Sequence, residues 1–153
     1  MTTVSHITDV EAINRILSTV GAEKIASTSG LSFIADSAYQ DLKNSMRDLM
    51  SHPWGFNTEY EVVLTPDVDD KIDVPDNASI IDLAPADTGS LDVIIRADGL
   101  TERLYDRKTH SFTAFTGDSY KATVVYYLEW LDIPEAAKIY IIAMAAVHFQ
   151  ATQ

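Results

Sequence analysis

The chain has 153 residues, which is long enough for one domain with a sizeable core, and its 46% hydrophobic content excludes wholesale disorder. The absence of cysteine excludes disulfide scaffolds, thiolate metal sites and cysteine nucleophiles. The formal net charge of −12 makes binding to nucleic-acid phosphates over broad surfaces unfavourable, because the electrostatic interaction is repulsive.

The N-terminal third of the chain predicts two amphipathic helices. The first covers residues 9–20, with Thr8 and Glu11 at the spacing of a capping box and apolar residues at helical intervals. The second covers residues 36–50 and must end before Pro53. Both helices have one apolar side that needs a surface to pack against.

From Trp54 onward, short alternating runs predict strands. In the first run Tyr60, Val62 and Leu64 alternate with other residues, and Asp98-Gly99 later predicts a two-residue hairpin turn. The predicted strands cover residues 60–64, 91–96, 100–105, 111–115 and 121–131.

The last predicted helix covers residues 134–149 and has no formal charge after Lys138. Asp132 is expected to cap it, with Glu135 three residues later as in a capping box. A helix that is apolar on every side must be buried nearly all round, and its apolar run is shorter than the ~20 residues of a membrane span. We therefore predict a core or interface helix and interpret His148 as a core or interface histidine. The helix has no stop signal, so we expect either a partner that covers the C-terminus or a shortened chain.

The order of two helices, several strands and one helix predicts an α+β fold. Two N-terminal helices and a buried C-terminal helix form a helical layer, and a mainly antiparallel β-region is inserted between them. We predict a single domain over residues 1–153, with a helical part at residues 1–53 and 132–153 and a β-rich part at residues 54–131.

The region from Asp67 to Asp98 contains nine aspartates against only Lys71 and Arg96. A calcium loop needs a central glycine and a terminal glutamate, and the dense part of this region has neither, so solvated turns are the favoured interpretation. The sequence also lacks HExxH, GxSxG and phosphate-binding glycine motifs. We predict no catalytic residue, no cofactor, no metal and no enzymatic activity.

The stretch Trp54-Gly55-Phe56-Asn57 lies where the helical region meets the strand region. Its aromatic residues could form an exposed recognition patch or a plug that joins the two regions. The plug is favoured, because large aromatic side chains dominate the energetics of protein cores.

Five stretches together resemble the tail tubular protein A family, the head-to-tail adaptor of short-tailed bacteriophages. They occur in the family's order with similar gaps and extend over almost the whole chain. The stretches are Ile13-Asn14-Arg15-Ile16-Leu17-Ser18-Thr19-Val20-Gly21, Trp54-Gly55-Phe56-Asn57, Leu64-Thr65-Pro66-Asp67-Val68, Leu104-Tyr105-Asp106-Arg107, and Ile133-Pro134-Glu135 leading to Phe149-Gln150.

The resemblance implies a structural virion protein that assembles with itself as a ring of twelve copies. Such a ring docks on the portal protein, receives the tail nozzle protein, and leaves a channel through which DNA passes without specific binding. The implied location is the virion tail at the portal vertex, after synthesis in the bacterial host cytoplasm, with no membrane involved. Family members usually continue past the position of Gln153 into an acidic helical segment that is expected to help clasp the portal.

Two surfaces follow from this resemblance as expectations. Acidic residues of the aspartate-rich region are expected to face the channel and keep DNA mobile; they are Asp67, Asp69, Asp70, Asp73 and Asp76. Residues near the end of the last strand and in the last helix are expected at a subunit or partner interface; they are Tyr127, Leu131, Tyr140, Met144 and His148.

Two alternatives stay open. The first is a tail-associated carbohydrate-binding or hydrolytic module, which requires two carboxylates facing each other across a groove beside aromatics such as Trp130 or Tyr126. The second is a plain cytoplasmic globular protein that shares only short motifs with the family.

Overall fold

The computed structural model describes residues 5–153 and confirms the α+β class. Its helices are α1 (Asp9–Ser18), α2 (Phe33–Met50), α3 (Pro85–Thr88) and α4 (Glu135–Thr152). Its strands are β1 (Thr58–Leu64), β2 (Ala78–Leu83), β3 (Val93–Asp98), β4 (Thr101–Asp106) and β5 (Tyr120–Tyr126), and a 3₁₀ turn occupies Trp130–Asp132.

These elements form two compact units. The helical unit contains the described residues up to Leu49 together with Leu128–Gln153, and the β unit contains Met50–Tyr127. That the two units make up one domain stays a prediction, and residues 1–4 of that predicted domain lie outside the described residues.

In the helical unit, α1 forms where the capping box predicts it. The amide of Glu11 donates to Thr8 Oγ1 over 3.1 Å, and the amide of Thr8 donates to Glu11 Oε2 over 2.9 Å. Ile13 and Ile16 are fully buried on the side of α1 that packs with α4. The capping prediction is confirmed, and the helix ends at Ser18, two residues earlier than predicted.

The predicted cap of α4 is wrong. Asp132 belongs to the 3₁₀ turn, and Pro134 occupies the N-cap position without a side-chain hydrogen bond to the helix. The carboxylate of Glu135 instead accepts from the amide of Ile7 at 3.3 Å and from Lys138 Nζ at 3.2 Å. A long-range hydrogen bond from Ile7 and a contact with Lys138 three residues later, and not a capping box, therefore occupy the carboxylate at the start of α4.

Lys138 is the most unusual buried residue of the helical unit, with 0% of its surface exposed. Its ammonium group contacts Glu135 Oε1 and lies 5.5 Å from the centre of the Trp130 ring. Trp130 in turn donates its indole N–H to the Ile7 carbonyl over 2.9 Å. We call these four residues the Lys138 network; it ties the segment before α1 to the start of α4.

In the β unit, β5 is the central strand of an antiparallel sheet with the order β1-β5-β2, and β3 and β4 form a hairpin. The predicted hairpin is present, but its two turn residues are Gly99 and Leu100 and not Asp98 and Gly99, because Asp98 still pairs with Thr101. The predicted strand at residues 111–115 is reduced to one bridge between Asp106 and Ser111, and β2 was not predicted. The core of the unit contains Leu64, Ile72, Ala78, Ile81, Leu83, Leu104, Phe115, Ala122 and Val124.

A bulge changes the facing of residues along β1. Glu61 has a positive φ of 56°, and the register with β5 shifts between Glu59 and Val62. Val62 and Leu64 therefore join the core, while Tyr60 lies on the opposite side of the sheet and is 72% exposed. The simple alternation predicted for Tyr60, Val62 and Leu64 is wrong, because it assumes an unbroken strand.

Asn57 is the buried polar residue that joins the start of the β unit to its sheet. Its side-chain amide donates to the carbonyls of Met50 at 3.2 Å, His52 at 3.1 Å and Tyr126 at 3.3 Å. Its side-chain oxygen accepts from the amide of Trp54 at 2.7 Å. An amide side chain suits this position because it donates to and accepts from backbone groups at once, with its two N–H groups shared among the three carbonyls.

We expect Asn57→Ala to lower the free energy of unfolding by about 2–3 kcal/mol, because several buried backbone groups lose a hydrogen-bond partner. Urea unfolding followed by circular dichroism measures this loss. The exposed helical residue Asn44 provides the control, and Asn44→Ala should leave the midpoint nearly unchanged. Equal midpoints for the two variants would contradict the role of Asn57.

The Lys138 network predicts a loss of stability in acid. Burial of Glu135 by itself raises its pKa, but hydrogen bonds from Lys138 and from the Ile7 amide outweigh burial, so the pKa lies below its ordinary value of 4.5. A group whose pKa is lowered by folding stabilises the protein above the unfolded value and loses this effect as the pH falls through the folded value.

We therefore expect the urea midpoint of the helical unit to decrease below about pH 4.5, and to decrease less steeply in Glu135→Gln. Trp130 fluorescence in a Trp54→Phe background reports on this unit alone. Glu129→Gln, which alters an exposed carboxylate nearby, should keep the full pH dependence. A parallel response in Glu135→Gln and the unmodified chain would exclude this role of the carboxylate.

Candidate functional site

All five aspartates expected to face the channel are exposed, but two of them are bonded within the chain, Asp67 to its own turn and Asp73 to Arg103. Asp67 Oδ1 accepts from the amides of Asp69 at 2.9 Å and Lys71 at 3.0 Å. The hydrogen bond from the Lys71 amide is the main reason why the pKa of Asp67 lies below its ordinary value. Asp67 therefore closes a turn, as is usual for an aspartate at this position.

Asp73 belongs to an ion-pair network. Arg103 places Nε 2.8 Å from Asp73 Oδ1 and Nη1 2.6 Å from Asp98 Oδ2. Lys71 Nζ lies 2.9 Å from the same oxygen of Asp98. The hydrogen bonds from Lys71 and Arg103 hold the pKa of Asp98 below its ordinary value, so the carboxylate stays ionised.

The other three aspartates, Asp69, Asp70 and Asp76, have carboxylates that bond no other group within residues 5–153. These three are the members of the predicted set whose charge is available to a neighbouring molecule. Within the same residues, no group of three or more histidine, aspartate or glutamate side chains is placed to hold a metal ion.

The last helix is buried on one side only. Its buried residues are Lys138, Ile141, Ile142, Ala145 and Phe149. On the opposite side Ile139 is 55%, Tyr140 54% and Val147 64% exposed. The expectation of burial nearly all round is therefore wrong for a single chain, and the outer side of α4 presents an uncharged apolar surface. Along the described chain, no helix is both long enough and apolar enough to cross a membrane.

The residues predicted for an interface have different environments. Tyr140 and His148 lie on the exposed side of α4, and Met144 is half-buried. Leu131, on the 3₁₀ turn, is 79% exposed, and Tyr127 is partly exposed at the end of the β unit. The interpretation of His148 as a core residue is wrong, while an interface role for all five residues stays a prediction.

The outer side of the β1-β5-β2 sheet carries a shallow groove of about 330 Å³. Its large exposed hydrophobic side chains are Trp54, Tyr60 and Ile80, which are exposed by 44%, 72% and 40%. Asp82 is the one carboxylate among its lining residues. The hydroxyl of Thr58, also in the lining, is buried and has no hydrogen-bond partner within the described part of the chain.

The groove corrects the interpretation of the Trp54 stretch. Trp54 stacks on Phe56 with the ring centres 6.4 Å apart, and both side chains are substantially exposed. The predicted aromatic plug is wrong, because the buried residue of this stretch is Asn57 and the aromatic rings form part of the surface.

The carbohydrate-binding alternative loses one of the two aromatic residues proposed for it. Trp130 is buried within the Lys138 network and cannot provide a platform for a sugar. Tyr126 is half-buried, and burial together with the nearby charge of Glu59 raises the pKa of its hydroxyl. The sheet groove has a single carboxylate, Asp82, where hydrolysis requires a facing pair.

Two further polar residues that the sequence interpretation missed organise the fold. The amide side chain of Asn14 exchanges two hydrogen bonds with the backbone of Ile25, at 2.9 and 2.8 Å, and so fixes the loop after α1. Asp106 is fully buried and accepts from the amides of Asp92, Lys108 and Thr109.

The turn chemistry of Asp106 is the signal that could have identified it, because an aspartate directly before a polar turn often bonds the backbone that follows. Burial by itself raises the pKa of Asp106. The hydrogen bonds from the Thr109 hydroxyl and from the three amides outweigh burial and lower the pKa to about 2.

Comparison with known protein families gives one match. The model of the family Tube, described as tail tubular protein, matches residues 10–153 and so covers nearly the whole chain. No curated protein matches the chain.

Proposed function

We propose that the chain is the head-to-tail connector subunit of the virion. The premise is that it belongs to the tail tubular protein family and is a structural protein of a bacteriophage tail. In this role it joins the portal protein to the tail nozzle protein and forms part of the channel through which DNA is ejected. It works by assembly and performs no catalysis.

The observation that carries the proposal is the uncharged outer side of α4 in a chain of net charge −12. An acidic protein stays soluble through charge repulsion, so contact between its copies needs surfaces where like charges do not meet. Exposed apolar side chains in a contiguous patch are typical of interaction sites. A ring of copies, which we propose to contain twelve, would cover such patches on every member.

The available aspartates suit a channel that must let DNA move. Asp69, Asp70 and Asp76 carry charges that no described residue neutralises, and repetition around a ring would multiply them. Their field extends about 8 Å at physiological salt, which is enough to repel phosphates that approach the wall. We propose that these three residues face the channel, whereas Asp67 maintains its turn and Asp73 pairs with Arg103.

Native mass spectrometry tests the assembly. We expect twelve copies of the chain to bind a portal ring from the same phage. Ile139→Glu/Val147→Glu should abolish or greatly weaken this complex, because it places charges on the outer side of α4. Ser27→Glu/Ser29→Glu adds the same number of charges to an exposed loop and should assemble normally. A chain that stays monomeric both alone and with portal rings would contradict the connector role.

Charge removal tests the channel. We expect Asp69→Asn/Asp70→Asn/Asp76→Asn to increase the affinity of assembled rings for a short DNA duplex at least about tenfold at low salt, with the gain shrinking as salt rises. Fluorescence anisotropy of the labelled duplex measures this change. Glu23→Gln/Asp118→Asn/Glu129→Gln removes as many exposed charges elsewhere. An equal gain in this control would show that only total charge matters and would exclude the channel assignment.

A further inference from the structure

We infer that the outer side of α4 in one copy packs into the sheet groove of the next copy. This inference rests on the proposed assembly into a ring and specifies which two surfaces of the chain meet. The two surfaces belong to different units of the chain, so the contact is head-to-tail and not a pairing of identical patches.

The outer side of α4 has the form of a continuous apolar ridge. Ile139, Tyr140, Ala143 and Val147 are all exposed and follow the spacing of neighbouring positions on one side of a helix. The 18 residues of α4 give it a length of about 27 Å at the usual rise per residue. A ridge of this kind is recognised by a hydrophobic groove that accepts side chains at helical intervals.

The sheet groove provides a matching concave surface. Its apolar lining of Trp54, Tyr60 and Ile80 is rich in the aromatic side chains that are enriched at protein interfaces. The lining also includes Thr58, whose buried hydroxyl has no hydrogen-bond partner within the described residues.

Charge favours a second copy as the occupant. After Lys138, α4 contains no acidic residue and no formal charge. Asp82 is the only carboxylate that lines the groove. The helix therefore brings no like charge to Asp82, whereas acidic segments of the chain would be repelled by it.

In a short head-to-tail assembly, the outer side of α4 is unoccupied in the copy at one end, and the sheet groove is unoccupied in the copy at the other end. Each added copy contributes a new helix and a new groove, so growth continues until the last helix meets the first groove. The head-to-tail contact is therefore compatible with a closed ring and predicts no preferred dimer.

Disulfide cross-linking tests the contact directly, because the natural chain has no cysteine. Val147→Cys and Ile80→Cys chains are mixed in the presence of portal rings and oxidised. We expect a covalent dimer that contains one chain of each kind, since a disulfide forms only where the two Cα atoms approach within about 7 Å. The double variant Val147→Cys/Ile80→Cys should give a ladder of covalent oligomers.

Ser29→Cys, at an exposed loop position, replaces Ile80→Cys in the control mixture and should give little product. Equal yields from the two mixtures, or a dominant link between two Val147→Cys chains, would overturn the inference. If the unmodified chain assembles on the portal while the Val147→Cys and Ile80→Cys mixture gives no link, the surface assignment fails and the connector role stands. Failure of the unmodified chain to assemble, together with no link, would reject both.

Complementation provides an independent readout. Ile139→Glu/Val147→Glu blocks the helix and keeps the groove, whereas Tyr60→Glu/Ile80→Glu blocks the groove and keeps the helix. We expect each variant alone to stay monomeric in native mass spectrometry and the mixture to form a one-to-one dimer that cannot grow. Circular dichroism identifies any variant that fails to fold. Folded variants that form no dimer on mixing would contradict the pairing of these surfaces.

Discussion

The buried ammonium group of Lys138 determines the arrangement of the helical unit. The sequence of α4 is apolar on every side, so hydrophobicity alone does not decide which side faces inward. A fully buried lysine must have an ionic partner, and Glu135 and the ring of Trp130 provide its surroundings. Because Ile7 binds both of these residues through its backbone, the charge also anchors the segment that precedes α1. The inward direction of Lys138 leaves the opposite side of α4 exposed, and this exposed side is the surface on which the proposed assembly depends.

The β unit depends on buried polar groups in a comparable way. Asn57 bonds backbone groups from Met50 to Tyr126, and Asp106 bonds the amides on both sides of the β3-β4 hairpin. Each is held by several hydrogen bonds, so neither can move without leaving buried groups unpaired. Both residues lie in stretches that carry the family resemblance. In each stretch, the physical role of the residue is to hold neighbouring backbone segments in place through buried hydrogen bonds.

Local signals in the sequence predicted the fold class, the capped helix α1 and the hairpin of β3 and β4, because each depends on residues close together in the chain. The end of β5 was not predictable in this way. Alternation continues to Leu131, but Trp130 leaves the strand to bond Ile7, which is 123 positions away. For the aspartates of the region from Asp67 to Asp98, local properties were likewise predictable and long-range contacts were not. Exposure of the aspartates followed from their polarity, whereas the pairing of Asp73 with Arg103 joins residues 30 positions apart and has no local signature.

The bulge in β1 has a consequence for how the sheet meets other molecules. This strand lies at an edge of its sheet, and an unprotected edge can pair with the backbone of any other chain and lead to aggregation. Glu59 and Glu61 place two exposed charges on the edge, and the irregular register around Glu61 interrupts the row of backbone donors and acceptors. Growth of a continuous sheet from this edge is thereby disfavoured, which favours association through surfaces built from side chains, where shape and charge select the neighbour.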